Sequence, residues 1–166
     1  MLTAATVSNY IISLLAQGRE LETIKLHKLL YFCQGWCFAF YKKPLFNEDF
    51  EAWKFGPAIK EIYLEHAGMV RIPATFKFHD KEKINNNPII NTVINEEHKQ
   101  IINAVVRDYG SLNSFTLVDL THLAGTPWEQ VYQEDMETQL ISKQKIQEYF
   151  LKEMKRVKTT GELFPA

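Results

Sequence analysis

The chain has 166 residues, 46% of them apolar and 13% aromatic, with a net charge of −1. That composition excludes a disordered chain, and at this length a core forms without disulfide or metal staples. The near-zero charge excludes nucleic-acid binding by bulk electrostatics, so any such role needs a local basic patch.

In chain order, Thr3 is placed to cap a first helix with Val7, Tyr10, Ile11, Leu14 and Leu15 on its buried face and Gly18 past its end. This stretch lacks a basic leader, so it reads as an amphipathic helix and not a secretion signal, and no run reaches the ~20 apolar residues of a membrane span. A cytoplasmic location is expected. A charged turn at residues 19–22 leads into residues 25–41, KLHKLLYFCQGWCFAFY, where apolar residues follow helical spacing and added aromatics leave little polar surface. A helix apolar nearly all round is a central one. Lys42, Lys43 and Pro44 stop it.

Residues 50–55 read as a short strand, followed by Gly56-Pro57, with Pro57 at the first position of a helix running to residue 66. Ile59, Ile62 and Tyr63 should face inward, and Gly68 should end this helix. Pro73, Pro88 and three consecutive asparagines break the next stretch, leaving extended pieces at 75–78 and 89–93 to pair with the strand at 50–55. Asn95 caps a helix over 96–109, with Gly110 beyond it. Thr116 caps a short helix, Thr126-Pro127-Trp128-Glu129 is a further helix start, and Ser142 opens a last helix to about residue 158, with Ile146, Tyr149, Phe150, Met154 and Val157 inward. The expected fold is mainly α: a single compact helical domain over 1–166 with a small β element, a helix-dominated α+β class.

Few of these residues point to chemistry. Cys33 and Cys37 lie one helical turn apart, and His27, His66, His79, His98 and His122 are available, but no zinc-knuckle or H-x-x-x-H spacing occurs. Core thiols are the simpler reading, since a desolvated thiol is a poor nucleophile. An enzyme acting on a nucleotide or peptide through His122 with Cys33 or Cys37 is kept as the alternative. No phosphate-loop signature is present. Gly56-Pro57 with Lys54 before a helix start could hold an anion, although a strand-to-helix corner is the simpler reading.

A second alternative, nucleic-acid binding, rests on the last helix. There Lys143, Lys145, Lys152, Lys155, Arg156 and Lys158 outweigh Glu148 and Glu153, a local charge of +4. The same stripe is explained as a solvated face or as a partner of Glu129, Glu134, Asp135 and Glu137. His122, shortly before Trp128, is placed to cap carbonyls and stack on the indole, or to present its ring to a partner.

Together, K-L-H-K-L-L-Y at 25–31 with Gln34 and Trp36, Pro44-Leu45-Phe46, E-A-W-K-F-G-P at 51–57, Tyr63, Tyr109-Gly110, Leu120-Thr121-His122 and Pro127-Trp128 resemble the Panacea antitoxin domain. The same family is also called SocA-like or GepA-type phage-associated. The resemblance spans about residues 5–151 and departs at Cys33, Cys37 and the variable stretch 69–88. It implies a non-enzymatic antitoxin of a toxin–antitoxin system that binds and neutralises a cognate protein toxin. That toxin is expected from a neighbouring gene. One branch of the family also acts as a proteolytic adaptor, so a protease or chaperone is a further expected partner. No cofactor, catalytic or metal residue is implied, and neither membrane nor nucleic acid is an expected partner. The expected contact residues are Trp53, Lys54, Phe55, Gly56, Pro57, His122 and Trp128, because a strand-and-corner presents aromatics of the kind that dominate protein interfaces. A free strand edge there could also accept a strand from a toxin.

Overall fold

A computed structural model describes residues 1–80 and 94–165. Helix α1 (Ala4–Leu15) is capped by the Thr3 side chain, which accepts from the Thr6 N–H. Helix α2 (Thr23–Tyr41) is the centre: residues 26–39 are buried without interruption, and Lys42 ends it in the left-handed conformation. Helices α1, α4 (Glu96–Tyr109), α5 (Ser114–His122) and α6 (Lys143–Thr160) all pack on α2. A helix apolar on all sides needs such a sheath. Gly35 sets the closest approach, because a β-carbon there would run into the Phe150 ring of α6. Phe150 lies edge-on to Tyr31, Phe32 and Trp36 of α2. Asn95 and Ser142 cap α4 and α6 as their sequence positions imply.

Two small sheets complete the described fold. Strand β1 (Glu20–Glu22) pairs antiparallel with β4 (Arg71–Pro73), setting Leu21 opposite Ile72. Strands β2 (Phe50–Trp53), β3 (Gly56–Ala58) and β5 (Leu140–Ile141) form the second, antiparallel throughout in the order β3-β2-β5. The result is the expected helix-dominated α+β fold.

Several local expectations are corrected. Residues 20–22 are a strand and not a turn, since Leu21 is buried and finds a distant partner edge at Arg71–Pro73. Gly56-Pro57 is a strand and not a helix start: Trp53 pairs with Gly56 across a tight Lys54-Phe55 turn, and helix α3 (Lys60–His66) begins only after Ile59. Gly56 has φ +97, which a residue without a β-carbon adopts cheaply. Tyr63 turns outward and is 40% exposed, whereas Ile59 and Ile62 are buried as expected. Residues 75–78 form no strand, β2 pairs with β5 and not with that stretch, and the expected piece at 89–93 lies outside the described residues. Asn113, not Thr116, caps α5, accepting from the Thr116 N–H at 2.9 Å. Thr126 caps a single turn and no helix, and Glu129 reaches the Gly125 N–H instead of closing a capping box.

Candidate functional site

The β2–β3 hairpin and the start of α2 enclose a cavity of about 220 Å³, walled also by α3. Its polar groups begin at two residues that interrupt the apolar surface of α2. Lys28 is 2% exposed, and its Nζ donates to the Pro57 carbonyl at 3.0 Å. Gly56 makes room for it: a β-carbon at Gly56 would stand 2.6 Å from Lys28 Cε and 2.6 Å from Thr121 Oγ1. Burial lowers the Lys28 ammonium to about 7, because a low-dielectric site penalises the charged form.

His27 is buried beside it. The Ile59 N–H donates to His27 Nδ1 at 3.2 Å, which places the His27 proton on Nε2. That proton is donated to His66 Nε2 at 2.9 Å, so His66 carries its own proton on Nδ1. His66 Nδ1 is buried and, among the described residues, meets no hydrogen-bond partner other than a loose approach to its own backbone carbonyl. Burial, then Lys28 and His66, hold His27 well below the ordinary histidine range. Burial lowers His66 too, opposed in part by its own backbone carbonyl.

The rim is aromatic and exposed. Phe55 is 50% exposed at the hairpin tip, and Trp53 lies edge-on to Tyr63 at 4.9 Å. Trp53 Nε1 donates to Glu51 Oε2 at 2.7 Å, which fixes the indole. Met69 and Lys54 complete the edge.

The second corner adjoins the first. His122 stacks on Trp128 with ring centroids 3.5 Å apart and planes 5° from parallel, and Trp128 stacks in turn on Tyr132 at 4.6 Å. Trp128 Nε1 donates to the Trp53 carbonyl at 2.7 Å, a strap between the corners. Burial first, then Lys28, lowers the His122 pKa, while Asp119 opposes. The structure thus joins the sequence-picked residues into one region. Trp53 is half-buried, Lys54 and Phe55 are exposed, His122 is half-buried, and Gly56, Pro57 and Trp128 are buried. The Pro57 carbonyl is taken by Lys28, so at that point β3 offers no free acceptor to an incoming strand.

The family model of the SocA-like antitoxin Panacea domain matches residues 26–129. The chain belongs to this family. Every residue of the cavity named above that comes from α2 past Lys25, from the hairpin or from α3 lies inside the Panacea segment, as do His122 and Trp128. Helix α6 and strand β5 lie outside it. One curated relative, Antitoxin SocA of Caulobacter vibrioides (strain NA1000 / CB15N), is 27% identical over 122 residues, covering 67% of this chain. The chain matches 60% of that relative's length. No solved structure matches the Panacea chain.

The two alternatives fare differently from this region. Cys33 and Cys37 are buried, and burial raises both thiols, Cys33 aided by Cys37, and Cys37 to about 11 with help from Glu97. His122 Nε2 has no hydrogen-bond partner among the described residues, so it is paired with neither thiol. On α6, Lys143 pairs with Asp49, Lys145 donates to Gln130, and Arg156 forks onto Glu153, so among the described ion pairs the stripe does not engage the acidic run at 129–137. Among the described residues no helix is long and apolar enough to cross a membrane.

Sequence reasoning passed over His27, Lys28, His66, Tyr63 and Met69 as one group. The available signal was His27-Lys28 itself: two cationic residue types inside a helix read as apolar all round, and a buried polar residue is the informative kind.

Proposed function

We propose that this Panacea-domain protein is an antitoxin that captures a cognate protein toxin, encoded by a neighbouring gene, and neutralises it by direct binding. The carrying observation is the aromatic rim of exposed Phe55 and Tyr63 and half-buried Trp53 around a cavity within the Panacea segment. Rigid aromatics with a polar handle are the side chains that anchor protein interfaces. Trp128 and His122 stand behind the rim and hold the hairpin in place through the Trp53 carbonyl. The family name and the printed name of the Caulobacter relative support the same reading. An enzymatic role lacks comparable support, since the thiols it would use are buried and protonated.

Co-expression of the chain with each neighbouring gene product tests this. The expected result is a neighbour that arrests growth alone, is tolerated with this chain and co-purifies with it. Following the toxin's half-life in the same cells separates blocking from delivery to a protease or chaperone. If no neighbour is toxic and none co-purifies, the reading fails.

A further inference from the structure

We propose that the cavity between α2, the β2–β3 hairpin and α3 is a carboxylate pocket, in which Lys28 Nζ, with the His27–His66 pair beside it, receives an acidic group that the partner toxin carries on an apolar stem. The inference rests on the antitoxin reading and names the chemistry of its contact.

The polarity of the lining comes first. Lys28, Lys54, His27 and His66 line the cavity, and among the described residues no aspartate or glutamate does. A buried cation without a counter-ion is costly, and an arriving anion relieves that cost. The second point is unspent donors. Lys28 has three N–H groups and one hydrogen-bond partner, the Pro57 carbonyl. The relay from Ile59 through His27 leaves a proton on His66 Nδ1, which is sealed from solvent near its own backbone carbonyl, so both histidines are neutral neighbours of Lys28 and not competing anion donors. Buried donors in folded proteins are nearly always matched, so the two spare N–H groups of the Lys28 ammonium await an acceptor. The third point is the wall. Ile24, Trp53, Phe55, Ala58, Tyr63 and Met69 make most of it. A singly charged carboxylate on an apolar stem matches both parts. A phosphate dianion would bring more acceptor oxygens than two donors satisfy.

The lowered ammonium of Lys28 agrees with this arrangement. An anion at Nζ restores its proton, so binding takes up a proton near neutral pH. The titratable groups facing Lys28 are His27 on α2, His66 on α3, His122 on α5 and Lys54 on the hairpin, and all three histidines are held neutral at pH 7 by burial.

The test titrates the full chain with sodium hexanoate, 1-hexanol, hexylamine and inorganic phosphate, reading tryptophan fluorescence and the imidazole nitrogen signals. Hexanoate is expected to bind saturably, at least about tenfold tighter than the other three, and to shift the His66 signal. Lys28→Met should weaken hexanoate by about tenfold or more, while Lys54→Met on the rim stays within about twofold. Should Lys28→Met fail to fold, the wild-type discrimination between hexanoate and hexanol with the His66 shift still decides. With a toxin in hand, hexanoate should compete with it, and Lys28→Met should lower its capture by about tenfold. Equal binding of hexanol, tighter binding of phosphate, or unchanged binding by Lys28→Met overturns the pocket. Toxin capture that ignores both hexanoate and Lys28→Met removes the pocket and leaves the antitoxin reading standing. Hexanoate binding where no neighbour is toxic overturns the toxin as the source of the carboxylate, and the antitoxin reading with it.

Discussion

Helix α2 buries polar side chains at two places, and the two are treated in opposite ways. At Gln34 both polar atoms are partnered: Nε2 donates to the Phe46 carbonyl at 2.9 Å, and Oε1 accepts from Leu45 at 2.7 Å and from Phe46 at 3.3 Å. Two turns earlier, His27 and Lys28 reach His66 and Pro57 with donors left over beside an open cavity. A closed network stiffens a fold, while a network with unspent donors at a cavity invites a ligand. The contrast sets a structural polar cluster apart from the one that lines the proposed pocket on the same helix.

Breaking the closed end should cost most. Gln34→Leu strands three buried backbone groups, and a loss of about 3 kcal/mol or more is expected by chemical denaturation. Gly35→Ala belongs to the same end, because the Phe150 ring must move, and about 1–3 kcal/mol should be lost.

The open end should respond to pH instead. Lys28 is lowered to about 7 in the folded chain from 10.5 unfolded, so between those values the unfolded state binds more protons and stability rises with pH. Between pH 7.5 and 8.5 this adds on the order of 1 kcal/mol. Burial, and not a charged neighbour, is the cause, and the facing groups His27, His66 and His122 are already neutral there. Thermal melts of Lys28→Met should be flat across that window. A slope equal to the wild type's would assign the effect to another group.

His122→Ala should cost about 1 kcal/mol by removing the stack on Trp128, visible as a weakened near-ultraviolet dichroism of the indole. The smallest stability effect belongs to the rim: Phe55→Ala should stay within about 0.5 kcal/mol while lowering toxin co-purification severalfold. Loss of stability without loss of capture would place the interface elsewhere.

Helix limits were legible because their signals are local: Thr3, Asn95 and Ser142 cap where expected. Asn113 and Thr116 are two competent caps three residues apart, and only the structure separates them. Of the described strands only β2 was legible, inside residues 50–55; the others, of two or three residues, give no period, and the partners of β1, β4 and β5 lie far off, as Leu21 and Ile72 do. The stack of His122 on Trp128 was readable from proximity in the chain. The cavity was not, because it exists only where α2, a hairpin and α3 meet. Tyr63 was misread inward, since an aromatic at helical spacing looks the same whether it faces the core or a neighbouring Trp53.

Strand β2 is closed on its far edge by β5, and its turn is strapped by Trp128. A ribosome adding about 5–20 residues each second needs several seconds to pass from the hairpin to those late segments. The strap and the edge partner of the hairpin are therefore translated well after the hairpin itself, so a nascent chain stalled before Trp128 holds the hairpin with neither.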